Sequence, residues 1–129
     1  MEFFIKQNSE LPILKMTVVR DGRTNAWKLF DSDLDNATIR FSMKEESTGI
    51  PKIVMNNAFI TEKTQQNPDA PKEYYIYYKW SLRDTKRIGR YVGEFSIINS
   101  MGELIGPIRE NLYINIIWRY PNPLLYLLR

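Results

Sequence analysis

The chain has 129 residues, of which 26% are charged, and its 18 basic against 15 acidic residues give a net charge of +3. This length predicts one domain with a core of its own, and the ordinary charged fraction argues against a disordered chain. The absence of cysteine and histidine excludes disulfides, Cys/His zinc sites, Cys–His nucleophiles and Ser–His–Asp triads.

The first residues lack the pattern of an export signal. Residues 1–6 (MEFFIK) have no basic stretch followed by a long apolar run. The longest apolar runs span about five residues, whereas a membrane-spanning helix needs ~20. We therefore expect a protein that is made and kept in a cytoplasm, or in a particle assembled there.

The first half of the chain contains two segments with the composition of β-strands. Residues 11–20 (LPILKMTVVR) are rich in β-branched and apolar side chains and end at the turn signal Asp21-Gly22. Polar and acidic residues at 31–36 (DSDLDN) predict a loop. Residues 37–44 (ATIRFSMK) then alternate, which predicts a half-buried strand whose inward side chains are Ala37, Ile39, Phe41 and Met43.

The second half continues this pattern after a proline-containing loop at residues 64–72. Residues 73–80 (EYYIYYKW) are dense in aromatic side chains, which favour strands. Three more strands are predicted at residues 89–98, 103–108 and 112–118, with Leu112, Ile114 and Ile116 alternating in the last. Many short strands separated by turn signals predict an antiparallel sandwich or barrel, with Phe41 and Ile114 in one core.

The order of these segments resembles a known family, the N-terminal immunoglobulin-like domain of tailed-phage baseplate upper proteins (BppU type). The resemblance covers roughly residues 3–117, where an entry strand, a middle strand and a closing hairpin follow one another. The segments that carry it are FIKQNS (4–9), LPILK (11–15), LDNATIRFSM (34–43), GRYVGEF (89–95) and LYINI (112–116).

The resemblance implies an all-β fold, an immunoglobulin-like antiparallel β-sandwich, over residues 1–118. It also implies a non-enzymatic structural component of a tailed bacteriophage virion, such as a baseplate, neck, connector or capsid-associated protein. Such a protein binds no cofactor and acts through interfaces with other virion proteins, as a homo-oligomer or within a symmetric assembly. The alternatives are a carbohydrate- or receptor-binding module of a phage particle and a small nucleic-acid-binding β-barrel.

Three patterns typical of catalytic or ligand-binding sites are incomplete. Residues 31–35 (DSDLD) alternate like the start of a calcium loop, but the required Gly and Glu are missing at positions six and twelve. Glu45, Glu46 and Glu62 offer carboxylates without any sign of the fixed separation that glycoside hydrolysis needs. Glycines at 89 and 93 lack the Gly-Lys-Ser/Thr ending of a phosphate loop. We expect no catalytic, metal or cofactor site.

Positive charge is concentrated in one stretch that contains a single acid, Asp84. We expect Arg83, Lys86 and Arg87 in a loop between two strands, where they contact an acidic protein surface or solvent. Phosphate binding, which weakens steeply with salt, is the alternative. The predicted basic contact patch consists of Lys79, Arg83, Lys86, Arg87 and Arg90.

The strand at residues 73–80 has aromatic side chains on both faces. One face must belong to the core, and its members are Tyr74, Ile76, Tyr78 and Trp80. The opposite face carries Tyr75 and Tyr77, which we expect to be covered by loops or by a neighbouring subunit. A platform on which sugars or bases stack is the alternative.

The C-terminal residues 119–129 (RYPNPLLYLLR) are unusually apolar for a chain end. Two prolines favour an extended arm that projects from the domain and docks on another subunit. Folding back onto the parent sandwich is the alternative. The predicted subunit-interface residues are Trp118, Tyr120, Pro121, Pro123, Leu124, Leu125, Tyr126, Leu127 and Leu128.

Overall fold

The computed structural model describes residues 1–18, 36–62, 64, 67–69, 73–100, 102–107 and 110–119. Within these ranges the chain is all-β, without an α-helix. Its strands are β1 (Glu2–Lys6), β2 (Leu14–Val18), β3 (Thr38–Glu45), β4 (Pro51–Asn57), β5 (Phe59–Glu62), β6 (Tyr74–Tyr78), β7 (Gly89–Asn99), β8 (Gly102–Gly106) and β9 (Leu112–Ile117).

The strands form two sheets. The larger sheet has the order β1-β9-β7-β3-β4, and the smaller has the order β2-β6-β5. β7 is long enough to pair on one edge with β9 through its first half and with β8 through its second half. Its other edge pairs with β3 along nearly its whole length, so β7 is the centre of the larger sheet.

One hydrophobic core joins the two sheets, as in a β-sandwich. The inward side chains of β3 alternate as predicted, and both Phe41 and Ile114 are fully buried in this core. Phe41 of the larger sheet stacks on Tyr78 of the smaller sheet, with ring centroids 4.6 Å apart. The predicted inward face of β6 is also confirmed, because Tyr74, Ile76 and Tyr78 are buried.

Gly93 in β7 shows why the strand carries a residue without a side chain at that point. A Cβ atom there would lie 3.0 Å from two carbons of the Phe41 ring. That distance is shorter than normal van der Waals contact, so the ring packs directly against the backbone of β7.

The structure differs from the sequence predictions in three places. The pairing of β1 with β9 is parallel, so the prediction of a purely antiparallel sandwich is wrong at this edge. β2 begins at Leu14 rather than Leu11, because Pro12 has no N–H to donate to a ladder. β4 and β5 lie between residues 44 and 64, where no strand was predicted.

Candidate interaction surface

The connection between β6 and β7, residues 79–88, is held in place by a buried carboxylate. Asp84 accepts hydrogen bonds from the Tyr78 hydroxyl at 2.7 Å and from the backbone N–H of Ser81 at 2.9 Å. Burial, and after it the hydrogen bond to Asp84, raise the pKa of Tyr78 to about 12. The single acid of the basic stretch therefore organises the loop from inside.

A second buried side chain fastens this loop to the residues that follow β1. The Thr85 hydroxyl donates to the carbonyl of Ser9 at 2.8 Å and accepts from the N–H of Ser9 at 3.1 Å. The N–H of Asn8 donates to the Thr85 carbonyl at 3.0 Å, and Gln7 Nε2 donates to the Lys86 carbonyl at 2.9 Å. These bonds fix two loops from distant parts of the sequence side by side.

A concave surface, here called the terminal groove, lies where these two loops meet the end of β9. It consists of three adjoining cavities of about 620, 620 and 470 Å³ that share Arg119 in their lining. Arg119 is held over it by a long hydrogen bond of 3.5 Å from Nη1 to the Asn8 carbonyl. Its other lining residues include Phe4, Asn8, Ser9, Leu11, Ile13, Trp80, Leu82 and Ile117.

The terminal groove exposes large apolar side chains that take no part in the core. Leu11 is 68% exposed and Leu82 is 53% exposed, and Ile13, Phe4 and Ile117 are also exposed. The sequence places Trp118, itself 51% exposed, between two lining residues. Exposed apolar side chains gathered in a concavity are typical of interaction sites.

The rim of the groove is cationic. Lys79, Arg83 and Lys86 of the predicted basic patch line it. Two further cations, Lys6 and Arg119, join them from β1 and from the residue after Trp118, and the groove also contains one acid, Glu10. Sequence reasoning missed this grouping, because it counted neighbours along the chain rather than the three segments that the fold brings together.

Arg87 and Arg90 of the predicted patch are not among the lining residues of the groove. Arg90 lies on β7, where it forms ion pairs with Glu2 at 2.7 Å and Glu46 at 3.2 Å and stacks over the Tyr113 ring. Arg87 remains in the 79–88 loop, and its carbonyl accepts a hydrogen bond from the Tyr91 hydroxyl at 3.0 Å.

The outer face of the smaller sheet carries Tyr75 and Tyr77, both half-buried. Lys15 Nζ lies 3.8 Å from the centre of the Tyr75 ring, and the Phe59 ring stacks on Tyr77 at 5.3 Å. Lys79 Nζ lies 5.1 Å from the Phe59 ring. One side of each tyrosine is thus covered by a side chain of the same chain.

Other predicted positions are scattered or lie outside the described residues. Glu45 and Glu46 follow one another at the end of β3, whereas Glu62 ends β5 in the other sheet. Residues 31–35 and 120–129 lie outside the described ranges, so the acidic loop and the predicted interface residues of the C-terminal segment beyond Trp118 are not described.

Comparison with known proteins finds no match among family models, curated proteins or solved structures. No helix in the described part of the chain is long and apolar enough to cross a membrane.

Proposed function

We propose that this protein is a non-enzymatic structural module that acts through protein–protein interfaces, as a component of a tailed-phage particle. Its partners are other virion proteins or further copies of itself within a symmetric assembly. The terminal groove carries this proposal, because it combines exposed apolar side chains, a cationic rim and a fixed backbone in one concave surface. Its most exposed apolar members, Leu11 and Phe4, gain most from being covered.

The fixed backbone supports a binding role. Association is weakened when loops must be ordered at the interface, and a preformed site avoids that loss. Buried Thr85 joins the two groove loops through its hydrogen bonds to Ser9, and buried Asp84 stabilises the 79–88 loop internally. These bonds are already made in the free chain. A partner would therefore meet a surface that needs little rearrangement.

We also propose the finer fold assignment, an immunoglobulin-like sandwich. The pairings support it, since the order β2-β6-β5 corresponds to strands B, E and D of that fold. The adjacent β3, β7 and β9 then correspond to C, F and G, and β4 to the additional C′ strand of variable-type domains.

The alternative, a carbohydrate-binding module, would use the Tyr75/Tyr77 face. Sugar-binding platforms present open aromatic faces to the ligand. The contacts of Lys15 with Tyr75 and of Phe59 with Tyr77 already cover one side of each ring, which favours the interface proposal. Binding on a glycan array that is lost in Tyr77→Ala would support the carbohydrate alternative instead.

The proposal is tested with particles and with the purified chain. Virions are purified by density from the host that encodes the chain. We expect mass spectrometry to detect the protein in them at a fixed ratio to other structural proteins. Cross-links from these particles should involve Lys79 and Lys86 at the groove rim more than Lys44 and Lys52, which lie on β3 and β4. Absence from purified particles would contradict the virion role.

The third possibility, nucleic-acid binding, is distinguished from the interface proposal by the salt dependence of the affinity for DNA. Phosphate contacts by several cations weaken steeply between low and physiological ionic strength. We expect no micromolar DNA affinity at physiological salt. A salt-dependent affinity that is lost in Arg83→Glu would replace the interface proposal by a nucleic-acid function.

A further inference from the structure

We infer that the terminal groove receives the C-terminal segment, residues 120–129, of a second copy of this chain. This inference rests on the proposed function, since it names the partner of the same surface. The groove and the segment are both apolar, and each copy contributes one of each. The interface therefore needs no further protein to form.

The segment and the exposed lining of the groove are both rich in apolar side chains. Residues 120–129 contain four leucines, two tyrosines and two prolines, and their one charged side chain is Arg129. The apolar lining includes the exposed side chains of Leu11, Ile13 and Leu82. Each tyrosine buries ~150–250 Å² on docking, so several apolar residues together supply a substantial contact for one groove.

The point at which the segment begins favours a second copy over the same copy. Arg119, the last described residue before the segment, is itself part of the groove lining. Proline fixes its own φ and biases the preceding residue toward extended conformations, and Pro121 and Pro123 apply this to residues 120–123. From these prolines we expect the leucines from residue 124 onward to project away from the groove of their own copy, and the truncation experiment below tests this expectation.

The cationic side chains at the rim of the groove are able to bind the two tyrosine rings of this segment. Lysine and arginine side chains bind aromatic faces, and the chain already uses such contacts between Lys15 and Tyr75 and between Arg90 and Tyr113. The segment contains no acidic residue, so its docking should not depend on ion pairing. Association by this route persists at high salt, whereas docking of an acidic partner weakens.

Mixing two deficient variants tests the inference directly. Leu82→Glu spoils the groove and keeps the segment, whereas a chain ending at residue 119 keeps the groove and lacks the segment. We expect the full chain to self-associate in sedimentation equilibrium at tens of micromolar, in both 0.1 M and 0.5 M NaCl. Each variant should be at least tenfold weaker by itself, and an equimolar mixture should form a heterodimer. Val54→Glu, at a position 66% exposed on β4 outside the groove, is the matched control and should associate like the full chain.

The outcomes separate this inference from the proposed function. Circular dichroism melts of both variants establish that they are folded before they are mixed. If both Leu82→Glu and the truncated chain still self-associate, docking in the groove is overturned, and the chain assembles through another surface. If the full chain is a monomer and truncation lowers its melting temperature sharply, the segment binds the groove of its own copy and the inference is overturned. Association that disappears in 0.5 M NaCl points to an acidic occupant and overturns it as well.

Discussion

Among the described residues, most of the exposed large apolar side chains lie in two regions of this sandwich, and the regions differ in structure. The first is the terminal groove, with Leu11 and Leu82. The second, here called the edge patch, comprises Ile50, Val54 and Met55 on β4 and just before it, and Phe59 on β5. These two strands are the last in the order of their respective sheets. The groove is concave and cationic, whereas the edge patch lies on strands that each have one edge unpaired within the described residues.

The backbones of the two regions differ in how their hydrogen bonds are arranged. Thr85 joins the two groove loops through hydrogen bonds to Ser9, and Asp84 stabilises the 79–88 loop from within. β4 instead pairs with β3 through two register shifts, and its residue Met55 has a positive φ of 50°. Irregular edge strands are a common protection against strand-to-strand aggregation. The comparison teaches that a similar exposure of apolar side chains occurs on a hydrogen-bonded loop backbone in one region and on an irregular edge strand in the other.

The largest expected effect falls on the core that supports both regions. Phe41 is completely buried and contacts Tyr78, Trp80 and Phe95. Phe41→Ala should lower the free energy of unfolding by ~3–5 kcal/mol, because it removes these contacts and leaves a cavity. Urea denaturation measures the loss, and an unchanged melting temperature would contradict the assigned register of β3.

The sequence predicted the buried parts of this fold better than the exposed parts, for a physical reason. The core strand β3 alternates because every second side chain is buried, and its pattern was recognised with bounds one residue from those observed. β4 buries only Ile53 of its seven residues, so its sequence carries no alternation to recognise. The groove was not predicted either, because Leu11, Leu82 and Arg119 become neighbours only after folding.

The next effect concerns Tyr78, whose hydroxyl connects the two regions. It donates to Asp84 beneath the groove and accepts from Asn56 Nδ2 of β4 at 3.2 Å. Tyr78→Phe should lower the free energy of unfolding by roughly 1.5–3 kcal/mol, the usual contribution of a hydrogen bond to a charged group. Thermal melts at neutral pH measure this loss, and no change would show that the bond to Asp84 contributes nothing.

The same residue predicts a pH dependence. Its pKa of about 12 in the folded chain exceeds the value of about 10 expected on unfolding. The stabilisation is therefore complete below pH 10 and is lost as the pH rises from 10 toward 12. Burial also raises the pKa of Tyr91, so the measurement is the difference between the parent chain and Tyr78→Phe across this range. Parallel stability curves for the two chains would contradict the assignment.

A smaller effect, confined to the groove, is expected from Thr85→Val. The change keeps the shape of this fully buried side chain and removes both hydrogen bonds to Ser9. We expect a loss of about 1–2 kcal/mol, since each neutral hydrogen bond contributes roughly 1 kcal/mol. Amide exchange should accelerate at Asn8 and Ser9 and stay unchanged in β4. Equal acceleration in β4 would mean that the two regions are not independently stabilised.

The smallest effect distinguishes the two regions by what covers them. Leu82→Ser and Val54→Ser replace side chains that are 53% and 66% exposed, and neither belongs to the core. In the full chain, at concentrations too low for self-association, both should change the free energy of unfolding by less than about 0.5 kcal/mol. Matched melts of the two variants check this. A drop of several degrees for Leu82→Ser only would mean that residues 120–129 cover Leu82 within the same molecule. In that event the groove is covered within the monomer, and its apolar side chains are no longer exposed in the way that those of the edge patch are.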